Sequence, residues 1–272
     1  MKKIKIIADI SSNHRGDIRI AKKMIAKAAS LGIDCVKFQS WQAKNLNKSG
    51  KFDYPSTYER HKKTELSDEN HFELISCCKK YNVEFLTTCF DPGRIDFLAS
   101  LGLKSIKVAS PDCGSTTLIK KLMSRFETLI ISTGMSTEDE IASTIRLLGS
   151  HDYVLLHCVS LYPTPLDKCN ISRIGWLRKM GAKRVGFSDH SHGSEAAMAA
   201  MSMDIELLEK HFTLDRRWPG KDQKMSSTPS TFSKIIAWRS VCEKVYGTEN
   251  PALSAEEARL KSIYTGKWGN NK

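Results

Sequence analysis

Eight short apolar runs, each closing on polar or charged residues, punctuate the chain at residues 4–9, 34–39, 83–88, 105–110, 128–133, 153–158, 184–189 and 205–211. The stretches between them carry a helical period. Ile20, Met24, Ile25 and Ala28 share one helix face before Gly32 ends it. Further helices are expected from Ser67 as N-cap to about residue 81, with Asn70 a weak partner at the third position beyond, and from Pro92. Others are expected from Ser136 as N-cap, at 170–180, at 193–202 and at 229–246. Eight strands alternating with helices predict a (β/α)8 TIM barrel, an α/β fold of one domain over residues 1–247, followed by a helical extension and tail at 248–272. Residues 40–64, rich in Lys, Asn, Ser and Gly, read as a long loop covering the substrate.

In such a barrel the chemistry gathers where strands end at their C-terminal side. Lys37 and Lys107 each sit inside an otherwise apolar run. A lysine there either meets an anion or points outward and snorkels between helices. Two of them suggest a dianionic ligand. His190 and His211 end runs seven and eight, which would be neighbours about 4.8 Å apart. Two imidazoles so placed either chelate one divalent metal in an open site or are structural. Asp9, Glu209 and Asp222 bring acids to the same mouth, suited to proton transfer or to pairing with the lysines. Thr88, Ser110, Ser132, Ser160 and Ser188 add hydroxyls for phosphate or carboxylate oxygens.

Composition narrows the class. The 272 residues match one barrel, and a mean hydropathy of −0.35 fits a globular protein. No apolar run approaches the roughly 20 residues of a membrane helix, and the N-terminal apolar stretch is too short for a signal peptide, so a cytoplasmic protein without membrane partners is expected. The eight cysteines form no CxxC pair and read as reduced thiols. A net charge of +12 raises nucleic acid as a partner. The lysines are spread over helix faces without an aromatic-laced stripe, which favours solvated surface or a basic mouth that attracts a small anion. No GxGxxG, Walker loop or GxSxG elbow is present.

A series of motifs then resembles one family. Asn-His-Arg-Gly at 13–16, Val-Lys-Phe-Gln at 36–39 and Phe-Leu-Thr-Thr-Cys-Phe-Asp at 85–91 come first. Ile-Lys-Val-Ala-Ser at 106–110, Ser-Thr-Gly-Met-Ser at 132–136 and Leu-Leu-His-Cys-Val-Ser-Leu-Tyr-Pro-Thr-Pro at 155–165 follow. Gly-Phe-Ser-Asp-His at 186–190 and Leu-Glu-Lys-His-Phe-Thr at 208–213 complete the series. Over about residues 4–230 the chain resembles the sialic acid (N-acetylneuraminate) synthases, which condense phosphoenolpyruvate with an N-acylated amino sugar to give a nine-carbon 2-keto-3-deoxy sugar acid and phosphate.

The resemblance implies roles. Lys37, Thr88, Lys107, Ser110, Ser132, Ser160 and Ser188 would hold the phosphate and carboxylate of phosphoenolpyruvate. His190 and His211 would bind Mn2+ or Mg2+. Gln39, Tyr162, Glu209 and Asp222 would face the sugar, and Asp9 would help with proton transfer. The implied catalytic set is Asp9, Lys107, His190, Glu209 and His211. Asp9 stands where the family usually has Glu, one methylene longer, and the antifreeze-like domain that follows the barrel in family members is expected to be missing. The resemblance allows a homodimer. Two alternatives stay open: the same chemistry on a different, perhaps phosphorylated, aldehyde sugar, and a barrel that binds phosphoenolpyruvate without turnover.

Overall fold

A computed structural model describes residues 3–247 and 250–269. The strands are β1 (Lys5–Asp9), β2 (Cys35–Ser40), β3 (Glu84–Cys89), β4 (Ser105–Val108), β5 (Thr128–Ser132), β6 (Asp152–Cys158), β7 (Val185–Asp189) and β8 (Leu207–His211). The helices are α1 (Ile18–Ser30), α2 (Tyr54–Thr64), α3 (Asp68–Lys80), α4 (Ile95–Ser100), α5 (Thr116–Met123), α6 (Glu138–Leu148), α7 (Arg173–Lys179), α8 (Glu195–Met201), α9 (Pro229–Val245) and α10 (Ala255–Tyr264). The eight strands pair in parallel and in sequence order, and β1 pairs with β8 to close the barrel, as the alternating runs predict.

Strand alternation divides the side chains between two environments. Outward-facing Ile6, Ala8, Val36, Phe38, Ile106, Leu155 and Leu208 join the helices in one large apolar core. Inward-facing Ile7, Cys35, Leu86, Ile130, Val154, Leu156 and Leu207 form a second, separate apolar cluster. That cluster plugs the barrel below the polar layers. Gly186 belongs to this level because a Cβ there would lie 2.4 Å from the Leu207 carbonyl oxygen and 2.5 Å from Leu156 Cδ2. Near the N-terminal ends of the strands, Arg239 of α9 reaches Asp34 and donates to the Ile4 carbonyl at 3.2 Å, tying the last barrel helix to the β1–β2 seam.

Three local expectations are corrected. Residues 40–64 are not all loop: Ala43–Asn45 make a 3-10 turn and Tyr54–Thr64 form α2. Pro55 fits its first turn and the cations of its last turn suit the helix dipole, but only Thr64 is buried, so no apolar period announces the helix. The cap of α6 is Thr137 rather than Ser136, because Glu140 then stands at the third position and closes a capping box. Asn70 is a full partner, not a weak one: its side chain accepts from the Ser67 backbone while Ser67 caps Asn70.

No residue of α10 is buried. Among the described residues no helix is long and apolar enough to cross a membrane, and all eight cysteines are free thiols.

Candidate active site

The C-terminal ends of the strands enclose a cavity of about 690 Å³. All fourteen residues singled out in the sequence line it: Asp9, Lys37, Gln39, Thr88, Lys107, Ser110, Ser132, Ser160, Tyr162, Ser188, His190, Glu209, His211 and Asp222. Register explains the convergence. Asp9 pairs across the sheet with Lys37 on one side and with His211 on the other. Gln39 pairs with Thr88, Thr88 with Lys107, and Ser188 with Glu209.

Both lysines point inward and are 3% and 2% exposed. Lys37 Nζ donates to Asp9 Oδ2 at 2.9 Å and Thr88 Oγ1 at 3.0 Å, and lies 3.8 Å from Glu209 Oε2. Lys107 Nζ donates to Ser132 Oγ at 2.6 Å and the Val108 carbonyl at 2.9 Å, and lies 4.0 Å from Glu209 Oε1. Two ammonium groups and two carboxylates therefore share one buried cluster. Burial draws the Lys37 pKa down, but Asp9 and Glu209 outweigh it and leave it raised. Burial wins at Lys107, whose pKa is lowered despite Glu209, with Lys37 adding to the fall. Burial opposes ionisation of Glu209, yet Lys107, Lys37 and the hydroxyl of Ser188 (2.9 Å) pull it down to about 2. Its Oε2 is buried with no hydrogen-bond partner.

The imidazoles of His190 and His211 lie 5.5 Å apart between ring centroids. His190 Nδ1 is 2.9 Å from the Val159 carbonyl, which leaves Nε2 for the cavity. His211 Nδ1 is buried without a partner, while its Nε2 is 3.6 Å from Asp9 Oδ2. Burial lowers the His211 pKa against the pull of Asp9 and Asp222, whereas at His190 burial is outweighed by the Cys158 thiol and the pKa is raised. The spacing fits two imidazoles on one ion, given metal–nitrogen bonds of about 2.1 Å. Among the described residues no set of three or more His, Cys, Asp or Glu side chains forms a complete cage. Two imidazoles alone would leave most of an ion's coordination sphere open.

Tyr162, over half exposed at the mouth, packs on His190 with centroids 4.2 Å apart and the ring planes tilted by 37°. Asp222 Oδ2 accepts from Ser11 and Ser12 Oγ, both at 2.7 Å. Gly134 donates to Ser110 Oγ at 3.2 Å, and a Cβ on it would lie 2.4 Å from Ser160 Oγ. Only a glycine lets that hydroxyl cluster close.

The sequence reading missed several lining residues, among them Ser11, Ser12, Trp41, Arg60, Cys158 and Lys221. Cys158 had a signal, since it stands two residues after Leu156 on the inward face of β6 and ends the strand. Trp41 and Arg60 belong to the segment read as a cover, where pattern fixes no side chain. Lys210 carries the same signature as Lys37 and Lys107 but faces the other way. It forms a buried pair with Asp189 at 2.6 Å outside the barrel lumen.

The sequence profile of the NeuB family matches residues 24–250. The chain is 36% identical over 278 residues to an N,N'-diacetyllegionaminic acid synthase of Campylobacter jejuni, covering 97% of this chain and 83% of that protein. It is 36% identical over 243 residues to an N-acetylneuraminate-9-phosphate synthase of Drosophila melanogaster, covering 85% of this chain and 65% of that protein. Among solved structures, the N-acetylneuraminic acid (sialic acid) synthetase of Leptospira borgpetersenii, in complex with citrate, superposes with a TM-score of 0.91 at 27% identity, covering 99% of this chain and 94% of that one. With the family profile matched over most of its length, the chain belongs to the NeuB family.

Proposed function

We propose that the protein condenses phosphoenolpyruvate with an N-acylated amino sugar, forming a 2-keto-3-deoxy sugar acid of the sialic acid type and releasing phosphate. The observation that carries this reading is the convergence of two buried lysines and two imidazoles on one cavity. Family relatives that bear the names of legionaminic, neuraminic and pseudaminic acid synthases support the reaction class.

Lys37 and Lys107 hold the anionic groups of phosphoenolpyruvate by charge and position, with no covalent step. Thr88, Ser110, Ser132, Ser160 and Ser188 supply hydroxyls around them. His190 and His211 hold the divalent ion, Mn2+ or Mg2+, which when bound supplies Lewis-acid polarisation of the sugar aldehyde. The C3 carbon of phosphoenolpyruvate attacks that aldehyde carbon, water adds at C2, and phosphate leaves with its bridging oxygen. Glu209, held ionised by the two lysines and therefore a weak base, uses its free Oε2 to orient that water by accepting a hydrogen bond, and the water's proton leaves on the departing phosphate. Asp222 and Gln39 hydrogen-bond the sugar hydroxyls, and Tyr162 walls the mouth above His190.

The test is turnover with phosphoenolpyruvate, Mn2+ and a panel of N-acyl hexosamines. Phosphate release matched by a sugar acid of the summed mass is expected, abolished by EDTA and restored by Mn2+. Saturable binding of phosphoenolpyruvate by the folded protein, without phosphate release for any acceptor, would instead identify a non-catalytic barrel.

A further inference from the structure

β7 and β8 set their side chains in alternate layers at the barrel mouth. Ser188 and Glu209 pair facing the cavity, and Asp189 and Lys210 pair one residue later facing outward. His190 and His211 follow, again lining the cavity. Each member of the outward pair is thus the chain neighbour of an imidazole. Two residues earlier on the same outer face the pair is Phe187 and Leu208, both part of the large apolar core. Asp189 and Lys210 are buried as well. An apolar pair would fill their level without taking two charges out of water, and replacing a buried ion pair by apolar side chains is often neutral or stabilising. Stability alone therefore gives no reason for the pair.

Its bonds supply one. Asp189 Oδ2 accepts from Lys210 Nζ at 2.6 Å. Asp189 Oδ1 accepts from the backbone N–H and the hydroxyl of Ser191 at 2.8 and 2.7 Å, an Asx turn that closes around His190. Lys210 Nζ also donates to the Ser191 carbonyl at 2.7 Å. Ser191 bridges to Thr164, whose backbone N–H donates to the His190 carbonyl at 3.0 Å. The Thr164 hydroxyl donates to the Val159 carbonyl at 3.1 Å and to the Leu161 carbonyl at 2.8 Å. The same Val159 carbonyl lies 2.9 Å from His190 Nδ1 and orients that ring. A continuous run of polar contacts therefore leads from Lys210, beside one imidazole, to the ring nitrogen of the other.

We propose that Asp189 and Lys210 are positioning residues, whose buried pair behind the sheet sets His190 and His211 at the spacing that lets both imidazoles hold one divalent ion. This rests on the condensation reading above and on its metal. The pair faces away from the cavity and acts through the backbone of both strands. Lys210 carries His211 on β8, while Asp189 and Ser191 clamp His190 from its two sides. Groups that fix the orientation of metal-binding histidines change metal affinity by about 10- to 100-fold when they are removed.

The test titrates Mn2+ onto the protein and follows free Mn2+ by its electron paramagnetic resonance signal. The Asp189→Leu/Lys210→Met variant replaces the whole pair and should keep a urea midpoint near that of the wild type. Its Kd for Mn2+ is expected to rise about 10- to 100-fold. Its Kd for phosphoenolpyruvate, measured by calorimetry without metal, should stay within about twofold, since Lys37 and Lys107 keep their own bonds to Thr88 and Ser132. A merely structural pair would leave Mn2+ affinity unchanged in this folded variant, or weaken both ligands alike, and either result would overturn the proposal. Should the double variant fail to fold, Ser191→Ala decides, because it removes only the hydroxyl donor to Asp189. It should weaken Mn2+ binding about 2- to 10-fold, and an unchanged affinity would overturn the proposal. Mn2+ binding that survives His190→Ala/His211→Ala in full, or no Mn2+ binding by the wild type, would instead overturn the metal reading on which it rests.

Discussion

Removing one partner of the Lys37–Asp9 pair probes the cluster at its centre. In Lys37→Met, Asp9 loses a 2.9 Å ion pair in a setting where both side chains are less than 5% exposed. Breaking such a buried pair from one side costs about 3–5 kcal/mol, because the remaining charge stays out of water. The structure favours the lower half of that range. Asp9 Oδ1 keeps the Ser11 backbone N–H at 3.0 Å. Glu209 meanwhile retains Lys107 at 4.0 Å. Asp9→Asn leaves the ammonium of Lys37 with Glu209 at 3.8 Å and should cost a similar amount. The double variant removes both charges and should recover to within about 1–2 kcal/mol of wild type, since replacing a whole buried pair is often close to neutral. Urea denaturation followed by tryptophan fluorescence reads each corner of the cycle as a shift in midpoint at constant slope. The expected coupling energy exceeds about 2 kcal/mol in magnitude. Single costs that simply add, leaving a coupling below about 0.5 kcal/mol, would refute the claim that these charges compensate each other inside the barrel.

Two further outcomes follow from the geometry. His14 is buried, and burial lowers its pKa to about 4 from 6.5, so between those values the unfolded chain binds the extra proton. Its contribution, about 3 kcal/mol, is complete above pH 6.5 and lost as pH falls toward 4. His14→Gln should flatten the stability profile between pH 5 and 7 in chemical denaturation, and an unchanged slope would contradict the assignment. Gly134→Ala places a methyl 2.4 Å from Ser160 Oγ and 2.9 Å from Ser110 Oγ. It should lower kcat/KM for phosphoenolpyruvate by about 10- to 100-fold through displaced hydroxyls, and wild-type kinetics would count against that cluster as an anion cradle.

The barrel was legible because each strand carries its own burial pattern, apolar on both faces low in the barrel and polar at its C-terminal tip. The site was legible for the same reason, since chemistry at strand ends is set by backbone topology. What escaped was set by contacts rather than by period. Helix α2 buries only Thr64, so hydropathy does not reveal it. Arg60 reaches the mouth because Gly16 and the Trp41 indole dock that helix, and Trp41 and Lys221 come from loops that carry no period. Lys210 shows the limit from the other direction. It is a lysine in an apolar strand like Lys37 and Lys107, yet register turns it outward onto Asp189. A one-residue difference in face separates a lysine that lines the cavity from one held in an ion pair behind the strand.

The most direct test is a crystal soaked with phosphoenolpyruvate and Mn2+, read by the anomalous signal of manganese. The expected result is one manganese ion about 2.1 Å from a nitrogen of each of the His190 and His211 imidazoles, with phosphoenolpyruvate bound against Lys37 and Lys107 in the same cavity. Manganese away from these imidazoles, or phosphoenolpyruvate seated outside the strand ends, would contradict a condensation carried out at this site.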